Sequence, residues 1–331
     1  MVNGESRRGG IDLGGTKIQA VVVDEQSAVL GQARRPTPTV GGPGDVVAEM
    51  AKALEEAAAA AGCETSSLAG VGVGAPGAVD AATGTLAHAP NLPGWDAPYP
   101  LGPALSELAG APVSLGNDVG VAVDAEFELG AGKPFRSILG VWWGTGVGGG
   151  IILNGEHWYG RGAAGELGHT VVKLSGRAEP KGLRGTIEAY AGRAAMEARA
   201  RRLAEKGAKT ELFEIMERKG KPRLASGVWA SALKRNDPLA AELIDEAIEA
   251  LGAGAASVVN LLDLEAVVVG GGLGTRLGQP YADRIAEAMA PHLFQPDRPP
   301  AVRVAELGDL GGAIGASLLA QVSRRESALV E

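Results

Sequence analysis

One pattern of apolar and glycine positions occurs twice in this chain. Residues 9–13 and 18–23, rich in β-branched side chains, flank Gly14-Gly15-Thr16-Lys17. Residues 139–143 and 151–153 flank Gly144-Thr145-Gly146-Val147-Gly148-Gly149-Gly150. Each stretch reads as a strand, a glycine turn carrying a threonine, and a returning strand. Glycines let the backbone approach a ligand and offer it N–H groups. Thr16 and Thr145 add hydroxyls and Lys17 adds a cation, which together are the parts of a phosphate cradle. An ordinary hairpin turn has a similar composition, so one copy alone does not decide between the two. No Gly-x-x-x-x-Gly-Lys-Ser/Thr occurs, which excludes a Walker loop. Gly144, Gly146 and Gly149 satisfy Gly-x-Gly-x-x-Gly, but that motif must open a helix, and residues 151–153 continue as a strand. The repetition predicts two related α/β halves, each offering a glycine turn to a shared cleft.

The remaining pattern fits alternating strands and helices. Strands are expected at 28–34, 68–74, 112–115, 170–173, 265–269 and 301–305. A helix is expected from Asp45, a plausible N-cap, to residue 61, with Gly62 as its stop. Further helices are expected from Asp118 to about 128, across 195–221, over 238–262 with Leu243, Ala247 and Leu251 in the core, over 277–291 and over 311–321. The last is rich in small residues and is expected to pack back on the first half. Tight turns follow two of the strands, at Gly74-Ala75-Pro76-Gly77 and at Gly270-Gly271-Gly272-Leu273-Gly274. Open α/β sheets bind ligands at such strand ends. The loop holding Asn91-Leu92-Pro93-Gly94-Trp95 is long enough to be functional, although Trp95 could equally plug the edge of a lobe.

Composition narrows the classes. At 331 residues the chain exceeds the size at which one core usually stops growing, and 45% apolar content is ample for two. The 51 glycines and few aromatics suit many tight βα turns. A net charge of −8 argues against nucleic acid or an anionic membrane as partner. No apolar run is long enough to span a membrane and residues 1–8 are polar, so the expected location is cytoplasmic. The lone Cys63 excludes an internal disulfide and a cysteine-based zinc site.

Several acidic and imidazole side chains sit where chemistry is feasible. Asn117 and Asp118 follow a strand and open a helix, so they suit either capping or a cleft-floor carboxylate. A hydroxyl attacking phosphorus loses its proton late in a loose transition state, and a weak, orienting base suffices. Glu166 and His169 stand three apart across a glycine-rich bend, where one small polar ligand could meet both. Glu188 lies in the first turn of a helix, where an acid also serves the dipole. Arg199, Arg201 and Arg202 belong to a solvated face, because acids interleave them and no aromatics stack among them.

In order, Asp12-Leu13-Gly14-Gly15-Thr16-Lys17, Gly74-Ala75-Pro76-Gly77, Asn91-Leu92-Pro93-Gly94-Trp95, Asn117-Asp118, the glycine run Gly144 to Gly150, Glu166-Leu167-Gly168-His169 and Gly270-Gly271-Gly272 span the chain. This set resembles the ROK-family sugar kinases, closest to the bacterial glucokinase type. The resemblance implies an α/β fold of two ribonuclease-H-like lobes with a cleft between them, the actin/hexokinase-like ATPase fold. Residues 1–116 plus 311–331 would form a small N-terminal lobe and residues 117–310 a large C-terminal lobe. It implies transfer from ATP with Mg²⁺ to the 6-hydroxyl of a hexose, foremost glucose, with lobe closure excluding water. N-acetylmannosamine, N-acetylglucosamine, fructose and mannose are the alternative sugars. A polyphosphate donor is conceivable, but Lys17 and the turn at Gly270 favour ATP. A non-catalytic sugar-binding sensor is the alternative of another class. Asp12, Gly14, Gly15, Thr16, Lys17, Thr145 and Gly146 would serve the phosphates, and Gly270, Gly271 and Gly272 the nucleoside. Asp118 would be the base. Asn91, Asn117, Glu166, His169 and Glu188 would help hold the sugar. A homodimer is the usual family state. The family's repressors carry an N-terminal helix-turn-helix, whereas here the first strand begins almost at once, so a repressor is not expected.

The sequence departs from that family at one place. Its members usually hold a structural zinc through this histidine and a Cys-x-Cys-Gly-x-x-Gly-Cys stretch. Here the corresponding residues are Glu179-Pro180-Lys181-Gly182-Leu183-Arg184-Gly185-Thr186. Zinc is therefore not expected. A local contact from Glu179 or Thr186 is expected to orient His169 through its second ring nitrogen.

Overall fold

Both expected glycine hairpins form. In the computed structural model, which describes residues 6–179 and 182–328, β1 (Arg8–Leu13) pairs antiparallel with β2 (Lys17–Val23), Leu13 opposite Ile18. β3 (Val29–Pro36) extends this pair. α1 (Pro43–Ala60) covers one sheet face, burying Val46, Met50, Leu54 and Ala57 at helical spacing against Ile11, Ile18 and Val73. Each large apolar side chain buried in this way contributes about 1.5–3 kcal/mol relative to exposure. The helix begins two residues earlier than expected, with Pro43 in its first turn. Asp45 is not the cap itself: it reaches back from the first turn to accept from Gly42 N at 2.9 Å.

After β4 (Val71–Ala75) come a small hairpin, β5 (Ala78–Asp80) and β6 (Thr85–Ala87), then α2 (Leu101–Ala109), β7 (Val113–Asn117) and α3 (Asp118–Leu129). β1, β4 and β7 run parallel, and the sheet order is β3-β2-β1-β4-β7. Sequence reading missed α2, which is short and begins within the proline-containing stretch at 97–103.

The second unit repeats the plan. β8 (Ile138–Trp143), β9 (Val147–Leu153) and β10 (Glu156–His157) form the antiparallel part. Next come α4 (Ile187–Ala191), α5 (Arg193–Glu205), α6 (Leu212–Arg218), α7 (Ser226–Lys234) and α8 (Pro238–Leu262). The parallel strands β11 (Ala266–Gly270) and β12 (Ala301–Val304) bracket α9 (Gly271–Leu277) and α10 (Gln279–Met289). The order is β10-β9-β8-β11-β12, so each sheet places its first-formed strand third and adds two parallel strands beyond it. α8 has the expected bounds, and Leu243, Ala247 and Leu251 are buried with Trp143 and Trp229.

Three local expectations are corrected. Residues 170–173 form no strand: Val171 makes one isolated bridge to Thr186 and is largely exposed, with no neighbouring strand to complete a ladder. The helix expected over 195–221 is two helices, because Gly207 adopts φ +94 between them. The helix expected over 277–291 starts at Gln279 instead, because Gly278, with φ +74, ends α9 just before it.

The chain returns to the first unit through α11 (Gly311–Ala328), which packs on α3, β1 and β4. That contact is backbone against backbone. A Cβ at Gly72 would overlap the carbonyl of Ala316, and one at Gly315 would overlap that of Val121. The compact units are Met1–Leu129 with Leu307–Glu331, and Gly130–Glu306. The sequence reading instead placed residue 117 onward, and thus α3, in the second lobe.

Candidate active site

In the first unit, Asp12, next to last in β1, stands in register with Gly74 of β4, which in turn pairs with Gly116 of β7. Three parallel strands therefore end side by side at Leu13, Ala75 and Asn117, one residue beyond Asp12. The hairpin turn is closed by Gly14 N donating to Lys17 O at 2.9 Å, and is buttressed by the Thr37 hydroxyl donating to Gly14 O at 2.6 Å. Asn91 lies against it: a Cβ on Gly15 would come within 3.0 Å of the Asn91 Cβ. Burial pushes the Asp12 carboxyl up, Asp309 adding to the shift and Lys17 opposing it. A carboxyl lacking solvation in this way gains from a nearby cation.

Trp95 is the plug that one sequence reading allowed. It is buried, donates from Nε1 to Leu86 O at 3.0 Å, and meets Tyr99 edge-on at 5.8 Å. Asn117 performs the capping: its Oδ1 accepts from Val119 N at 3.0 Å and Gly120 N at 3.1 Å. Half-buried Asp118 opens α3 and accepts from Val119 N at 2.9 Å.

In the second unit the glycine turn is held by charged side chains. Gly144 N donates to Gly146 O at 3.0 Å. Glu188, from α4, accepts from Val147 N at 2.9 Å, and its carboxylate occupies the space a Cβ at Gly146 would need. Arg193, the first residue of α5, donates to the Thr145 hydroxyl at 2.7 Å and to the Ser226 hydroxyl at 2.7 Å. Burial pulls the guanidinium pKa below its ordinary value, with Arg223 adding to this and Glu197 opposing it. The backbone of α5 also clasps the turn, Ala194 N donating to Thr145 O at 3.0 Å.

Gly270 and Gly271 are packed against Trp142 and Trp143 of β8, and Gly271 has φ +79. Gly270 caps α9, so Gly271 and Gly272 belong to its first turn and form no open loop. A Cβ on Gly272 would lie 3.3 Å from the Ser226 hydroxyl. The first residues of α5, α7 and α9 thus converge beside Thr145. Sequence reading missed Arg193 and Ser226. The available signal was an arginine in a helix's first turn, where the dipole disfavours it.

Glu166 and His169 bracket a single 3-10 turn, with His169 N donating to Glu166 O at 3.1 Å. Their side chains come near each other, Nε2 to Oε2 at 3.9 Å, Glu166 exposed and His169 half-buried. On the other side of the ring, Nδ1 lies 3.4 Å from Glu179 Oε1. Thr186 makes no hydrogen bond to Nδ1. It caps α4, accepting from Ala189 N at 3.3 Å. Glu188 is the one expected sugar ligand of this unit whose carboxylate is engaged at the glycine turn.

Two sheets of the same order, each with a glycine-threonine turn between its first two strands, define the actin/hexokinase-like ATPase class. The family model described as "ROK family" matches residues 8–323, and the chain belongs to that family. It is 34% identical over 318 residues to a glucokinase of Streptomyces coelicolor, covering 94% of this chain and 96% of that one. Its fold is similar to a ROK-family glucokinase of Streptomyces griseus solved in complex with glucose and AMPPNP (TM-score 0.81, 31% identity, 96% of this chain and 100% of that one). It is also similar to a ROK hexokinase of Thermus thermophilus (TM-score 0.78, 33% identity, 97% and 99%).

Proposed function

We propose that this chain transfers the γ-phosphoryl group of ATP, carried with Mg²⁺, to the 6-hydroxyl of a hexose, with glucose as the preferred acceptor. The observation that carries this reading is the recurrence of a threonine-bearing glycine turn at the equivalent place in both sheets. Full-length likeness to glucokinases supports it.

In the first unit, Gly14 to Lys17 offer N–H groups and an ammonium to phosphate oxygens. Asp12 is the carboxylate suited to the cation that accompanies them, and Mg²⁺ would supply neutralisation of the phosphate charge. Asp118 orients the sugar 6-hydroxyl and takes its proton as the new O–P bond forms, with Asn91 and Asn117 beside it. In the second unit, Thr145 and Gly146 meet phosphate oxygens, Arg193 fixes the Thr145 rotamer, and Gly270 to Gly272 lie by the nucleoside. Glu166 and His169 hold sugar hydroxyls. Glu188 serves the site by shaping the turn. Catalysis is then positioning and charge neutralisation. A cytoplasmic homodimer completes the proposal. Among the described residues no helix is long and apolar enough to cross a membrane.

The test is ADP release from Mg-ATP with a panel of hexoses and N-acetylhexosamines and a no-sugar control. ADP formed only with glucose is the expected result. Preference for another sugar would move the acceptor, and sugar binding with no turnover on any acceptor would replace the kinase with a sensor.

A further inference from the structure

The zinc that the family resemblance implies does not fit the residues around His169. Of the positions where cysteines would stand, Thr186 is engaged as the cap of α4 and Glu179 faces the ring alone. Among the described residues no three His, Cys, Asp or Glu side chains converge as a metal site.

What the structure builds there is different. The turn carrying Glu179 is closed by its own backbone: Glu179 N donates to Leu183 O at 2.8 Å, Gly182 N to Glu179 O at 2.9 Å, and Gly185 N to Arg177 O at 2.8 Å. Its side chain is wholly buried and aimed at the imidazole. Neither Glu179 oxygen nor His169 Nδ1 has a hydrogen-bond partner among the described residues. Two leftover buried polar groups, each costing about 1–3 kcal/mol when unpaired, face each other at 3.4 Å. Closing that gap to about 2.9 Å would complete a hydrogen bond between them.

We propose that Glu179 is the positioning residue for His169 and stands in place of a metal, a reading that rests on the sugar-kinase function above. His169 donates its Nδ1 proton to Glu179, which leaves Nε2 as an acceptor. A ring bound to a metal through Nδ1 would instead carry its proton on Nε2 and donate. The substitution therefore reverses the ring's polarity toward the sugar. Nε2 and the Glu166 carboxylate, 3.9 Å apart, become two adjacent acceptors suited to two neighbouring hydroxyls of one acceptor.

The first test needs neither sugar nor turnover. The chain has four histidines, so long-range ¹H–¹⁵N correlation of ¹⁵N-histidine-labelled protein resolves the His169 ring, identified by its loss in His169→Gln. The expected result is an Nδ1–H tautomer that Glu179→Ala abolishes and Glu179→Gln, still an acceptor, retains. An Nε2–H ring in the unsubstituted protein, a tautomer indifferent to Glu179→Ala, or stoichiometric zinc in purified protein would overturn the proposal. The second test is kinetic. Glu179→Ala should raise the sugar KM about tenfold with kcat and the ATP KM nearly unchanged, and Glu179→Gln should stay near the starting value. Added to His169→Ala, Glu179→Ala should have no further effect on sugar KM. Equal losses against sugar and ATP in Glu179→Ala would mark a merely structural role. Absence of kinase activity with the tautomer result intact would fault the functional reading and not the anchor.

Discussion

The two glycine turns occupy the same place in two sheets of the same order, yet they are supported by different chemistry. The first is held through the chain's own backbone and one threonine hydroxyl, and it brings its own cation, Lys17. The second has no lysine. Its threonine is gripped by Arg193 and its backbone by Glu188, both from helices that follow much later in sequence. A repeated fold therefore keeps the place of the glycine turn without keeping how that turn is made rigid. In the first unit the charge lies in the turn, and in the second it lies behind it.

The sharpest way to break this comparison is to remove the group proposed as the base of the first unit. Asp118→Asn should leave sugar binding nearly intact and cut kcat by about 10²-fold or more. Near-normal turnover would remove Asp118 as the base. Arg193→Ala comes next. With Thr145 unclamped and Ser226 unpaired, kcat/KM for ATP should fall about tenfold, as loss of a hydrogen bond to a charged group implies, while sugar affinity measured without nucleotide stays put. An unchanged ATP KM would show that the second turn is rigid without its charged support. The smallest effect belongs to Thr37→Val, which removes the hydroxyl bond to Gly14 O. It should lower stability by about 1 kcal/mol in denaturant unfolding with little change in either KM. A large rise in ATP KM there would mean that the first turn also depends on side-chain support.

The two hairpins, α8 and the terminal helix were legible because their signals are local: β-branched runs on either side of glycines, and apolar residues at helical spacing. Asn117, Asp118, Glu166 and His169 were legible as residue types at strand ends and bends. What escaped the sequence lies in through-space partnerships. Nothing local distinguishes Glu188 as a ligand for Val147 N from Glu188 as a dipole-satisfying acid. Arg193 reads as one more base in an Arg-rich helix until Thr145 and Ser226 are brought to it. The choice between Glu179 and Thr186 as the partner of His169 was open for the same reason, and it closes only when the fold sets Glu179 against Nδ1.

The close seating of α11 on Gly72 and Gly315 has a consequence for the order in which the molecule is made. The sheet of the first unit begins at residue 8, but the helix that covers its glycine face begins at residue 311. The unit Gly130–Glu306 is continuous in sequence and can complete its core during synthesis. The first unit must wait until α11 has been made, holding β1 and β4 with one face uncovered. Its closure joins the most distant parts of the chain, the slowest kind of contact to form. Truncation within α11 would therefore leave the N-terminal sheet unfinished and the second unit intact.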